Sequence, residues 1–196
     1  MRPFIIFLSK WPQSWVQLRG ATWSSNRQVT LDFVVRAHRR GSVVGRWAVR
    51  AVGVKEFQLS DVDGGGLSLT AGQHPVLRQY VDPTATLHFK ASATEVPAVL
   101  AALWTEHVAF VDDWIAPERY LGTPEQLKTR LLRHRGIVCR GPAFLVRRYA
   151  RVLVEHGVAS SVSASRSRVS RSAPLRLLHF GHSFVVAPSF TSEGAR

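Results

Sequence analysis

The chain has 196 residues, with 26 Arg and Lys against 13 Asp and Glu and a formal net charge of +13. A hydrophobic content of 45% is enough to build a core, which excludes wholesale disorder. The single cysteine, Cys139, excludes an internal disulfide framework and fits a reducing compartment.

In chain order, residues 1–10 resemble the start of a secretory signal, but the apolar run Phe4 to Leu8 is shorter than the roughly 7–15 residues such a segment needs. A short buried strand or anchoring segment is expected there. No stretch approaches the roughly 18–20 apolar residues of a membrane span, so the cytoplasm is the expected location. From Val29 the apolar residues alternate through Leu31, Phe33, Val35 and Ala37, the period of a half-buried strand. A second run from Val43 to Leu59 places Trp47, Val49, Ala51, Phe57 and Leu59 on one parity. A three-residue loop over 40–42, with Gly41 in a left-handed position, would pair Val35 with Trp47, Phe33 with Val49 and Leu31 with Ala51. On the other face this register sets Asp32 against Arg50 and Arg36 against Arg46, the latter a like-charge pair.

Asp61 to Gly66 reads as a glycine-rich loop, followed by strands over 67–70 and 84–90 with His74-Pro75 between them. Val96, Val99, Leu100, Leu103, Trp104, His107, Phe110 and Val111 recur at helical spacing, with Thr94 as N-cap and Pro97 in the first turn. Thr123-Pro124-Glu125-Gln126 is a capping box that starts a helix running to about His134. Another helix runs from about Pro142 to Gly157, with Leu145, Val146, Tyr149, Val152 and Leu153 on its apolar arc. Residues 175–180 and 183–187 read as strands split by Gly181-His182. The order implies an α+β fold: a mainly antiparallel sheet with an N-terminal hairpin over about 28–59, packed on one face by about three helices. The expected organisation is a single globular domain over 1–158, a Ser/Arg-rich flexible linker over 159–174, and a strand-like segment over 175–196 that could return to the sheet.

Charge is sorted along the chain. Residues 1–50 carry nine bases and one acid, 51–125 four bases and ten acids, and 126–196 thirteen bases and two acids. Of the bases, 22 are Arg and 4 are Lys. Three arginine groups emerge: Arg36, Arg39, Arg40, Arg46 and Arg50 on the hairpin; Arg147, Arg148 and Arg151 on the last helix; Arg166, Arg168 and Arg171 in the linker. Guanidinium donors match phosphate oxygens, so these groups suit a polyanion such as nucleic acid. The competing explanation is solvated faces and a tail, with the acidic middle block neutralising the rest. Trp11, Trp15 and Trp23 could stack on bases or pack at a core edge.

Reaction signatures are weak. His74 and His107 with Asp112 or Asp113 would suit a metal-assisted hydrolase, but their spacing matches no ligand pattern, and His107 falls on an apolar arc. Asp61-Val62-Asp63-Gly64 lacks the remainder of a calcium loop, and Gly181-His182-Ser183 lacks the second glycine of a nucleophile elbow. Arg135 and Arg140 flank Cys139 and would lower its pKa if it were exposed, whereas a buried thiol would be inert. No phosphate loop or dinucleotide fingerprint is present, and neither a cofactor nor a metal is expected. The expectation is a non-catalytic basic protein that binds nucleic acid through phosphate contacts. A small hydrolase and a module for an acidic protein partner are the alternatives.

Overall fold

The computed structural model describes residues 1–24, 26–60, 63–64, 66–90, 95–164 and 174–195. In chain order the elements are α1 (Arg2–Ser9), β1 (Trp15–Ser24), β2 (Gln28–Arg36), β3 (Val43–Val52), β4 (Glu56–Gln58), β5 (Asp63–Gly64), β6 (Leu67–Ala71) and α2 (Pro75–Val81). They continue with β7 (Thr84–Lys90), α3 (Val96–Val111), a 3-10 turn (Asp112–Trp114), α4 (Glu118–Leu121), α5 (Pro124–Leu131), β8 (Arg135–Pro142) and α6 (Ala143–Glu155). The last are β9 (Ala159–Ala164), β10 (Arg176–Phe180), β11 (Ser183–Ala187) and β12 (Ser189–Ala195). The fold is α+β. No helix among the described residues is long and apolar enough to cross a membrane.

The chain divides into two compact units, one made of Met1–Leu77 with Ser172–Arg196, the other of Arg78–Arg171. The first unit is discontinuous in sequence, with the second inserted between β6 and β10.

In the first unit the strands form a five-stranded antiparallel sheet, ordered β12-β3-β2-β1-β5, and a four-stranded one, ordered β4-β11-β10-β6. The alternation of β2 buries Val29, Leu31, Phe33 and Val35, and β3 adds Val49 and Ala51. These meet Leu178, Phe180, Val185 and Ala187 of the other sheet in one core. Phe33 meets Phe180 edge to face at 5.1 Å. Residues 4–8 form α1 rather than a strand. Pro3 sits in the first turn, where its missing N–H is harmless, and Phe4, Phe7 and Leu8 share a helical stripe. Trp47 lies beneath that stripe, stacked on Phe4 at 4.9 Å and tilted against Phe7 at 5.4 Å.

The β2–β3 hairpin is present, but its register differs by two residues from the expected one. Phe33 pairs with Trp47, Leu31 with Val49, Val29 with Ala51 and Val34 with Arg46. Arg36 lies opposite Val43 beyond a bulge, so the expected Arg36/Arg46 and Asp32/Arg50 pairs do not form. Alternation specifies which face a residue takes, and a two-residue slip leaves every face unchanged. The observed register is one that fits the helix α1 packed above it. It sets Gly45 opposite Val35, where a Cβ would lie 2.7 Å from the Phe7 ring. The connection spans 37–42, closed by the Ala37 N–H donating to the Ser42 carbonyl. Gly41 is not left-handed; it is needed because a Cβ there would lie 2.9 Å from the His38 ring.

In the second unit β7, β8 and β9 form an antiparallel sheet ordered β8-β7-β9. Ala85, Leu87 and Phe89 of β7 are buried. Helix α6 packs against all three strands, α5 against β8, and α3 against α5 and α6. The helices thus cover this sheet rather than the hairpin's. The capping box forms as expected, with Thr123 and Gln126 bonding reciprocally. Thr94 lies outside the described residues, and Glu95 precedes the first turn of α3.

Helix α5 ends at Leu131, short of the expected His134, and strand β8 fills the stretch expected to separate two helices. A bulge between its partners Leu87 and His88 buries Val138 and Cys139 in succession, which hides its alternation. Strand β9 replaces the start of the expected linker: Ala159–Ala164 pairs with β7 through backbone hydrogen bonds that its Ser-rich composition does not advertise. Residues 175–196 return to the sheets: β10 pairs with β6 and β11, and β12 with β3.

Candidate anion-binding cleft

Residues of β1, β2 and β3 that point away from the core form the outer face of the five-stranded sheet. Gln17 pairs with Val34 and Val34 with Arg46; Gly20 pairs with Asp32 and Asp32 with Ala48. A bulge between Leu18 and Gly20 leaves Arg19 as the unpaired extra residue, exposed beside Gly20 opposite Asp32. The result is a cleft of about 370 Å³ lined by Gln17, Arg19, Asp32, Val34, Arg36 and Arg46, among others. Arginines from three neighbouring strands thus line one space, with one carboxylate, Asp32, among the described lining residues. Arg36 is oriented by its Nη1, which donates to the Gly41 carbonyl at 3.1 Å. The buried Oε1 of Gln17 has no hydrogen-bond partner among the described residues. An unpaired buried acceptor costs about 1–3 kcal/mol, and a ligand N–H or O–H reaching it would remove that cost.

The other expected arginines do not join this cleft. Arg39 lies over the Trp15 ring at 5.3 Å, and Arg40 is exposed on the same loop. Arg147, Arg148 and Arg151 belong to the second unit. Arg148 is tied internally: its Nη1 donates to Glu106 at 2.7 Å, and its Cζ lies 3.8 Å over the Phe110 ring. Arg147 and Arg151 are exposed. Arg166, Arg168 and Arg171 lie outside the described residues.

A second cationic face emerges on the uncovered side of the β8-β7-β9 sheet. Across it, Arg140 pairs with Thr86 and Thr86 with Ser163; Ile137 with His88 and His88 with Ser161; Arg135 with Lys90. Lys90, Arg135 and Arg140 are exposed, and His88 Nε2 lies 3.0 Å from the Ser163 hydroxyl. The sequence hid this face because β8 reads as turns. The alternating Thr86, His88 and Lys90 were its one visible sign.

The residues considered for chemistry do not gather into one cluster among the described residues. His107 is fully buried. Its Nε2 donates to the Ile115 carbonyl and its Nδ1 accepts from the Tyr149 hydroxyl, leaving neither nitrogen for a metal. Burial lowers its pKa, opposed by the bond to Ile115 and the charge of Glu118. Asp112 and Asp113 are exposed, His74 belongs to the other unit, and no three His, Cys, Asp or Glu side chains gather among the described residues. Burial pushes the Cys139 thiol up to about 12, outweighing the nearby Arg130, so Arg135 and Arg140 do not activate it. The Ser183 hydroxyl is buried and accepts from the Ser60 N–H at 3.0 Å. Asp61 and Val62 lie outside the described residues.

No family model, curated protein or solved structure matches the chain.

Proposed function

We propose that the protein is a non-catalytic basic binding protein that holds nucleic acid through its phosphates, with little sequence preference. The observation that carries this is the convergence of Arg19, Arg36 and Arg46 on one cleft in which Asp32 is the one carboxylate among the described lining residues. Forked guanidinium donors suit phosphate oxygens, and mutual repulsion of three such groups is relieved when an anion sits among them. The Lys90, Arg135 and Arg140 face adds a second contact surface of the same character.

The test is a titration of fluorescent 20-base-pair DNA across a salt series. For duplex DNA the logarithm of affinity falls against log salt by about 0.9 per phosphate contact. Arg36→Gln with Arg46→Gln is expected to flatten that slope by about 1.8. An affinity that does not change between low and high salt would sink the proposal.

A further inference from the structure

We infer that the rim formed by Trp23 and Phe57 is a base-stacking site, so that the preferred ligand is single-stranded nucleic acid. This inference rests on the phosphate-binding role proposed above. Trp23 is 50% exposed and Phe57 46% exposed, and their rings lie 5.1 Å apart at 30°. Large aromatic surface left in water at one place marks a site of interaction. Both rings are carried on paired strands. Trp23 pairs with Val29, whose side chain is buried, so it points to the core side of the sheet but lies at the rim. Phe57 pairs with Val185 on the short strand β4.

Two cations flank the rings. Arg27 and Lys55 line the same cleft, of about 480 Å³, with Glu56 as the one acid among its described lining residues. Arg27 has φ +51°, a conformation that non-glycine residues rarely adopt. It is fixed by the Val54 N–H, which donates to the Arg27 carbonyl at 2.8 Å, while the Lys55 N–H donates to the Val186 carbonyl at 2.9 Å. Flat aromatic surface beside paired cations suits a ligand with a planar ring and an adjacent phosphate. That is the chemistry of an unpaired nucleotide; a duplex keeps its base faces stacked and out of reach.

The experiment compares the full-length protein and its variants on dT15, rU15 and a 15-mer of abasic nucleotides carrying the same phosphates. Wild type is expected to prefer dT15 and rU15 over the abasic strand. Trp23→Ala should weaken binding to the base-bearing strands about tenfold, leaving the salt slope and abasic binding unchanged, with Trp23→Phe restoring most of the loss. Phe57→Ala, on an exposed three-residue strand, should behave like Trp23→Ala. Arg27→Gln with Lys55→Gln should instead flatten the slope by about 1.4. Equal wild-type affinity for abasic and base-bearing strands, or an equal loss on both in Trp23→Ala and Phe57→Ala, overturns the stacking site. The phosphate-binding role would then still stand if the salt slope depends on Arg36 and Arg46. Binding insensitive to salt on every probe overturns both.

Discussion

His107 spends both ring nitrogens inside the second unit, on the Ile115 carbonyl and the Tyr149 hydroxyl. Replacing it with leucine strands two buried polar groups, each costing about 1–3 kcal/mol. His107→Leu is therefore expected to lose about 2–6 kcal/mol in urea unfolding. Adding Tyr149→Phe removes one stranded hydroxyl, so the double variant should be more stable than His107→Leu alone. Were it less stable, the hydroxyl would not be the group that suffers. Titratable groups also set a pH window. Burial lowers the pKa of His74, His107 and His179, and the charge of His179 adds to the effect on His74. Below the ordinary histidine value of about 6.5 the unfolded chain takes up protons more readily than the folded one, so stability is lost as pH falls below that point. Cys139 runs the opposite way. With its pKa raised from 9.0 to about 12, stability is lost as pH rises above 9. Unfolding midpoints should plateau between about pH 6.5 and 9 and fall on either side. A protein more stable at pH 5 than at pH 7.5 would contradict this.

Among the elements, α5 is the one whose start was most fully written in the sequence. Its capping box satisfies two N–H groups through local side chains, with no help from distant parts of the chain. Thr123→Ala is expected to cost about 1 kcal/mol, measured as a shift in the urea midpoint. Strands β2, β6, β7, β10 and β11 were legible for a similar reason, because each buries a pattern that alternation or an apolar run reveals. Strands β8 and β9 were not, and β12 was visible only as part of a strand-like C-terminal segment. A bulge breaks the pattern of β8, and β9 and β12 are Ser/Gly-rich strands held by backbone pairing to neighbours far away in sequence. The arginine cleft was half legible. Arg36 and Arg46 were visible as hairpin residues on one face, but their spacing depends on a register that alternation leaves open. Arg19 comes from β1, whose period is interrupted by its own bulge.

Across the whole molecule the three charge blocks dissolve. The first unit carries twelve bases and five acids, net +7, and the second fourteen bases and eight acids, net +6. Each unit is basic in its own right, so the acidic middle block does not divide the protein into a basic and an acidic part. The first unit also depends on strands from both sides of the insertion. Strands β10, β11 and β12 supply Leu178, Phe180, Val185, Ala187 and Phe190 to its core. A chain ending at residue 174 would leave much of the inner face of the five-stranded sheet uncovered, with α1 and β6 as its remaining partners. It is expected to collect in the insoluble fraction on expression, where recovery as a folded monomer would contradict the role given to those strands.

The same insertion imposes a delay during synthesis. Strands β1 to β6 emerge first, yet their core partners follow only after residues 78–171 have been made. At ribosomal rates of about 5–20 residues per second that interval is roughly 5–20 s, far longer than a small contiguous domain needs to fold. The inserted unit can therefore finish first, while the older half of the chain waits with Leu31, Phe33 and Val49 uncovered. In the cell this protein is expected to be most exposed to chaperones and to aggregation during those seconds.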